Sequence, residues 1–210
     1  MAVAVRQPMT RYARYTTAKR ALDITLIVLA VPIVVPVLLL IALAVRMDSP
    51  GPILFTQRRV GQNGVTFNMY KFRTMVQNAS ELKASLAHLN VLPPPDFKII
   101  NDPRITRIGR FLRKSSLDEL PQLINVLRGE MSLVGPRPTD FGLNDYLLWH
   151  TERLEVPPGI TGLWQVRGRH STSFDERLRL DIAYIDRMSL WCDLQILLLT
   201  VGAVVRGTGE

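Results

Sequence analysis

Asp118 and Glu119 stand side by side in a stretch, Arg104 to Pro138, that also carries a run of arginines and a Gly-Pro-Arg-Pro turn. Adjacent carboxylates suit nucleophilic attack or cation binding, and guanidiniums beside them suit a phosphate that must be held and neutralised. Ser116 and Glu119 fit the S-x-x-E capping box, and Pro121 is tolerated only where no intrahelical bond is due. A helix is therefore predicted to begin near Ser116 to Asp118. Its apolar period runs through Leu120, Leu123, Ile124 and Leu127, and Gly129 closes it. That would put the acidic pair at the positive end of a helix dipole, keeping Asp118 ionised at neutral pH and favouring anionic phosphate nearby. Plain capping by first-turn acids is the alternative on this segment alone.

The flanking residues add to the pair. Arg104, Arg107, Arg110 and Arg113 recur every third residue with Ile105, Ile108, Phe111 and Leu112 between them, which on a helix gives a basic face beside an apolar one. A solvated charge stripe, or a segment lying on anionic lipid, would show the same spacing. Arg137 lies between Pro136 and Pro138, two fixed φ angles that present its fork rigidly and lower the entropy lost on gripping a phosphate.

Other elements must position these groups. Ile53 to Val60 and Val65 to Phe72 read as strands, with Asn63-Gly64 between them as a hairpin turn. Lys71 and Arg73 at the far end could reach a phosphate or be solvated edge charges. Gln77 to Asn90 reads as a helix ended by Pro93-Pro94-Pro95, a region that could form a mobile loop over the site. Phe141 to Leu154 and Ser173 to Met188 also read as helices, the second carrying Asp181 and Tyr184. A surface salt bridge is the expected role of Asp181 from sequence. Leu194 to Val205 is apolar for twelve residues, too short to span a bilayer, and is expected to pack in the domain or lie flat on the membrane.

Ile24 to Val45 contains no charged residue and, at about 1.5 Å per residue, is nominally long enough to cross a bilayer core. Pro32 and Pro36 remove two of its backbone donors, leaving carbonyls that lipid cannot satisfy. Basic residues flank both ends: Arg6, Arg11, Arg14, Lys19 and Arg20 before, Arg46, Arg58 and Arg59 after. The positive-inside tendency then places both flanks on one side, which favours a broken, re-entrant helix, with an ordinary kinked span as the alternative on these residues alone. The stretch is too long for the core of a secretory signal.

At 210 residues and 47% hydrophobic, the chain can bury one domain core beside a membrane anchor. A net charge of +8 favours anionic partners. Nucleic acid is the runner-up partner by charge alone, and against it no zinc-finger spacing, RNP-like aromatic motif or convincing helix-turn-helix occurs. The single cysteine, Cys192, forms no intramolecular disulfide and is expected to pack as a small hydrophobe. His88, His150 and His170 lack metal-ligand spacing, and there is no phosphate-loop, dinucleotide or D-x-D motif.

The string from Ser116 to Pro138 resembles the bacterial sugar transferases known as monotopic phosphoglycosyl transferases. The resemblance runs from about Lys19 to Val205. It includes Lys19-Arg20-x-x-Asp23, Tyr70-Lys-Phe-Arg-Thr-Met75, Pro158-Gly-Ile-Thr-Gly162 and Gln165-Val-x-Gly-Arg169. It implies an α-rich, mixed α/β monotopic membrane protein with a broken re-entrant N-terminal helix, a small β-hairpin and amphipathic interfacial helices. Its parts would be a basic segment at 1–20, the membrane helix at 21–47 and a catalytic domain at 48–210. The implied reaction moves a sugar 1-phosphate from a UDP-sugar to undecaprenyl phosphate and releases UMP, with Asp118 as nucleophile and Glu119 holding Mg²⁺. Asp118 would share in that metal site.

Arg113 and Arg169 match arginines around the donor, Arg137 matches the arginine of the Pro-Arg-Pro turn, and Asp181 resembles a position near the site. Members break the membrane helix at a Ser-Pro pair, where this chain has Val35-Pro36. The implied location is the bacterial inner membrane with the catalytic domain on the cytoplasmic face. A homodimer and downstream glycosyltransferases are possible partners. Members also occur with extra N-terminal membrane helices, which are not part of this sequence. A non-catalytic membrane scaffold of a glycan assembly complex is the alternative reading.

Overall fold

The computed structural model describes residues 10–92, 97–139, 147–167 and 173–206. Helix α1 (Thr10–Asp48) runs through Pro32 and Pro36 with its helical assignment uninterrupted, so the expected break is not a loss of helix. It takes in the second half of the basic segment as well as the apolar stretch. By length and composition it could cross a membrane, with only 11% of its most apolar window buried. Val28, Leu29, Ile33, Leu39, Leu40 and Leu43 all face outward.

Both ends of α1 nevertheless hold the same domain. Near its start, Lys19 pairs with Asp193 at 2.9 Å, and Asp23 accepts from the Ser132 hydroxyl at 2.7 Å. Arg20 donates to the carbonyls of Val126 and Leu127. Near its end, Asp48 accepts from the Ile108 amide at 3.1 Å. Arg73 gathers the carbonyls of Val45, Ser49 and Pro52, satisfying groups that a helix end leaves without partners. Ile27 is buried against Met69, Val126 and Met131, while Ile41 and Val45 pack on Phe72 and Leu112.

Strands β1 (Leu54–Val60) and β2 (Thr66–Phe72) form the expected antiparallel hairpin, in register from Leu54 opposite Phe72 to Val60 opposite Thr66. Asn63 and Gly64 take positive φ at its tip, as the Asn-Gly signal requires. The predicted helix over 77–90 shrinks to α2 (Leu82–Ser85) and a single 3₁₀ turn at Ala87–Leu89. Residues 93–96, including the proline run, lie outside the described residues.

Helix α3 (Arg107–Ser115) starts at Thr106, whose hydroxyl caps the Gly109 amide at 3.0 Å. Arg104 therefore precedes the helix rather than sharing its basic face, and is buried in a bidentate pair with Asp102. Gly109 lies so close to the hairpin exit that a Cβ there would sit 2.1 Å from the Thr74 carbonyl oxygen. Gly109→Ala must push two backbones apart, and we expect it to cost about 1–3 kcal/mol, seen as a lowered melting temperature in detergent. An unchanged melting temperature would contradict that packing.

A 3₁₀ helix (Leu117–Gln122) carries the acidic pair and leads into α4 (Leu123–Arg128), which Gly129 closes at φ 81° as expected. Strands β3 (Ser132–Val134) and β4 (Gly159–Thr161) pair in parallel through Ser132–Gly159 and Val134–Thr161. The helix expected over Phe141 to Leu154 is a 3₁₀ helix at Leu148–Glu155, with 140–146 outside the described residues. Leu147 and Leu148 there are exposed. Helices α5 (Leu163–Arg167), α6 (Phe174–Asp186) and α7 (Leu190–Val205) complete the chain. The capping box at Ser173 and Glu176 starts α6. Cys192 packs beside the Val134–Tyr184–Ile196 cluster as a free thiol. Trp191, Leu198 and Val201 of α7 face outward.

Candidate active site

The turn that carries the acidic pair is set by its neighbours. Ser116 ends α3 in the left-handed conformation, φ 56°, with its amide on the carbonyls of Leu112 and Arg113. It makes no side-chain cap for the next helix, so the expected capping box does not form. Pro121 cannot donate a hydrogen bond, and the chain takes a 3₁₀ path until α-helix resumes at Leu123. Leu117 and Leu120 flank the pair and pack on the Ile41–Val45–Phe72–Leu112 cluster. The carboxylates thus face away from an apolar foundation that includes the end of α1.

Glu119 does not cap anything; it is clamped. Lys71 Nζ donates to its Oε1 at 2.8 Å, and Arg137 grips both oxygens, Nη2 to Oε1 at 2.5 Å and Nη1 to Oε2 at 3.1 Å. Burial alone would raise its pKa, but Arg137 and Lys71 override that and hold it well below the usual glutamate range. Lys71 is placed by β2, which Asn125 ties to α4. The buried Asn125 amide accepts from the Tyr70 N–H at 3.1 Å and donates to the Asn68 carbonyl at 2.7 Å. Arg137 follows β3, and its carbonyl accepts from Arg153.

Asp118 is different. It is 8% exposed and makes no hydrogen bond to the described residues. Burial pushes its pKa above the ordinary 3.8 and Glu119 adds to the rise, while Lys71, Arg113 and Arg137 pull the other way. The pair therefore divides its work. Glu119 anchors Lys71 and Arg137, and Asp118 keeps its oxygens uncommitted among three cations.

Of the other expected residues, Arg113 lies within electrostatic range of Asp118 and donates Nε to the Thr74 hydroxyl at 3.0 Å. Arg73, expected as a phosphate ligand or edge charge, is instead buried on the carbonyls that end α1, because the strand stops at Phe72 and the next side chain turns away. Asp181 is no surface bridge. It is 1% exposed and accepts from Arg153 Nη2 at 2.6 Å, with its pKa pushed up to about 6 by burial against the pull of Arg153. Through Arg153, which also donates to the Arg137 carbonyl, it supports Arg137. Arg169 and His170 lie outside the described residues. Buried His150 packs edge-on to Trp149 and Phe174, and His88 is exposed.

Sequence reading missed Asn125, Arg153 and Thr74 as positioning groups. Only Asn125 left a local signal, a polar amide inside an apolar helical period. Among the described residues no three His, Cys, Asp or Glu side chains gather as a metal site. Asp118 and Glu119 supply two carboxylates, which fits Mg²⁺ if substrate phosphates and waters complete its shell, the usual mode for that ion. They do not make a closed cage.

A helix long and apolar enough to cross a membrane fits membrane association, and an α-rich domain carries an acidic pair ringed by cations that suits anionic phosphate. Residues 14–207 match the bacterial sugar transferase family, and the chain belongs to it. It is 47% identical over 194 residues to the galactosyl transferase CpsE of Streptococcus agalactiae, covering 91% of this chain and 43% of that protein. It is 43% identical over 199 residues to the undecaprenyl-phosphate galactose phosphotransferase of Salmonella typhimurium, covering 91% and 41%. Identity to the exopolysaccharide production protein ExoY of Rhizobium meliloti is 40% over 198 residues, covering 92% and 88%. The chain thus spans less than half the length of the first two and most of the third.

Proposed function

We propose that the protein transfers a sugar 1-phosphate from a UDP-sugar to undecaprenyl phosphate, through a phosphosugar carried on Asp118. The observation that carries this reading is the division between the two carboxylates: Glu119 fixes Lys71 and Arg137, and the buried Asp118 side chain stands beside them with no hydrogen bond among the described residues. An Asp118 oxygen attacks the sugar-bearing phosphorus. The bond from that phosphorus to the bridging oxygen breaks, and UMP leaves with the bond's electrons. An oxygen of the acceptor phosphate then attacks the same phosphorus and frees the Asp118 carboxylate, giving a polyprenyl diphosphosugar.

The cations draw charge from the phosphoryl oxygens, a contribution typically worth a few kcal/mol each in the transition state. Mg²⁺, held by Glu119 and Asp118 with the donor phosphates, would supply further charge neutralisation. Names of relatives, among them an undecaprenyl-phosphate galactose phosphotransferase, support the donor and acceptor classes. Purified protein given UDP-sugars, Mg²⁺ and undecaprenyl phosphate should release UMP; failure across a broad donor panel would reject the proposal. Loss of release on chelation is the expected sign of the metal.

We also read α1 as re-entrant, with the domain on the cytoplasmic face of the inner membrane. Contacts from Lys19, Arg20 and Asp23 at one end and Val45 and Asp48 at the other join the same domain. A helix crossing about 30 Å of hydrocarbon would carry one end away from it. Only the outward apolar residues between those anchors then enter lipid. In a Cys192→Ser background, cysteines placed at Ala21 and Met47 should label from the same side of sealed vesicles. Labelling from opposite sides would establish a span instead.

A further inference from the structure

Arg113 is held unlike the other cations of the site. Lys71 and Arg137 both engage Glu119. Arg113 makes one hydrogen bond, from Nε to the Thr74 hydroxyl at 3.0 Å; its two terminal nitrogens make none among the described residues, with Asp102 and Asp118 within electrostatic range. Thr74 is itself fixed. It is 7% exposed, and its carbonyl accepts from the Thr106 amide at 3.0 Å. Gly109 presses on that carbonyl, where no Cβ would fit. Gly109 and Arg113 are four residues apart and share one face of α3, so the contact that seats the helix on Thr74 also delivers the guanidinium to the hydroxyl.

We infer that Thr74 is a positioning residue: its hydroxyl pins Arg113 by Nε, fixing the plane of the guanidinium and leaving both terminal nitrogens to grip phosphoryl oxygens of the nucleotide diphosphate donor. The inference rests on the reaction proposed above. A guanidinium held at Nε has already lost the rotation about its last bond, so less entropy is lost when a phosphate arrives. A planar fork also grips two oxygens at once, which a point charge cannot.

Thr74→Val keeps the shape and removes the hydroxyl, while Thr74→Ser keeps the hydroxyl. Loss of a hydrogen bond to a charged group should lower kcat/KM for the UDP-sugar about 10- to 100-fold in Thr74→Val. Thr74→Ser should recover most of that loss. In an Arg113→Lys background no Nε remains, so adding Thr74→Val should cost nothing further. Affinity for UDP alone, measured by calorimetry, should weaken in Thr74→Val and Arg113→Lys alike. Wild-type kcat/KM and UDP affinity in Thr74→Val would overturn the inference. So would equal losses in Thr74→Val and Thr74→Ser, or losses that add in the double variant, since those mark a packing role. If the wild-type protein binds UDP yet never releases UMP, the proposed reaction fails, and the UDP affinities still decide the role of Thr74.

Discussion

Asp118→Asn is expected to stop UMP release, by at least about 10³-fold, without weakening the fold. Asparagine has nearly the same shape, so the 3₁₀ turn and its leucine foundation keep their packing. What disappears is the only carboxylate of the pair whose oxygens are uncommitted. Among the described residues the Asp118 side chain has no hydrogen bond to lose, and its burial disfavours the charge, so a neutral amide there should leave the melting temperature equal or slightly higher. The same burial sets the pH behaviour. Attack needs the ionised form, and the pKa is raised above 3.8, so turnover should fall on acidification through a value higher than that of a free aspartate. Measuring UMP release and thermal melting together separates this from simple unfolding. An Asp118→Asn enzyme with a tenth of wild-type activity would remove the covalent route.

That uncommitted state depends on residues of very different visibility in sequence. The hairpin was legible because Asn63-Gly64 can only be a tight turn, and strand alternation put Lys71 at its end. Gly129 was legible as a helix stop for the same local reason. The capping box was misread because its pattern is shared by two structures. Ser116 ends α3 in a left-handed conformation, and the start that Glu119 was expected to cap is a 3₁₀ turn shaped by Pro121. Arg73 and Asp181 escaped because their partners are tertiary: carbonyls at the end of α1 for one, Arg153 for the other. A sequence shows that such charges exist. It does not show which of them the fold uses up, and that decides which remain for a substrate.

The apolar cluster gives the site its place as well as its shape. Ile41 and Val45 of α1 join Phe72, Leu112, Leu117 and Leu120, so the long apolar helix, the hairpin, α3 and the acidic turn share one packed contact. If the proposed reaction holds, an acceptor phosphate tied to a bilayer surface would be reached only from a nucleophile held at that depth. On the proposed reaction, the helix that would fix that depth is the one on which the acidic turn is built.

Glu119→Gln tests the clamp, and its effect should be nearly as large. Glutamine offers one neutral acceptor to two cations that now hold a carboxylate. Breaking such a pair costs about 3 kcal/mol, at the low end of the range for buried charges because the Arg137 side chain is 31% exposed. The pH dependence has a definite sign. The folded pKa of Glu119 is depressed below 4.5, so its stabilisation is complete above that value and is lost as pH falls through the folded pKa. Denaturation curves of wild type and variant should therefore differ most near neutrality and converge in acid; a constant gap would mean the charge is not what stabilises the turn. Catalysis should fall by at least about 10²-fold. Lys71 and Arg137, released from Glu119, can turn to Asp118, and a nucleophile neutralised by its own ion pair is a poor one. In the residual activity the acid limb should then shift to lower pH, because Asp118 has lost a repelling neighbour and the two cations that already pull its pKa down are free to come closer. Were the limb to stay in place while the rate fell, Glu119 would act on the substrate or its metal rather than by keeping the cations from Asp118.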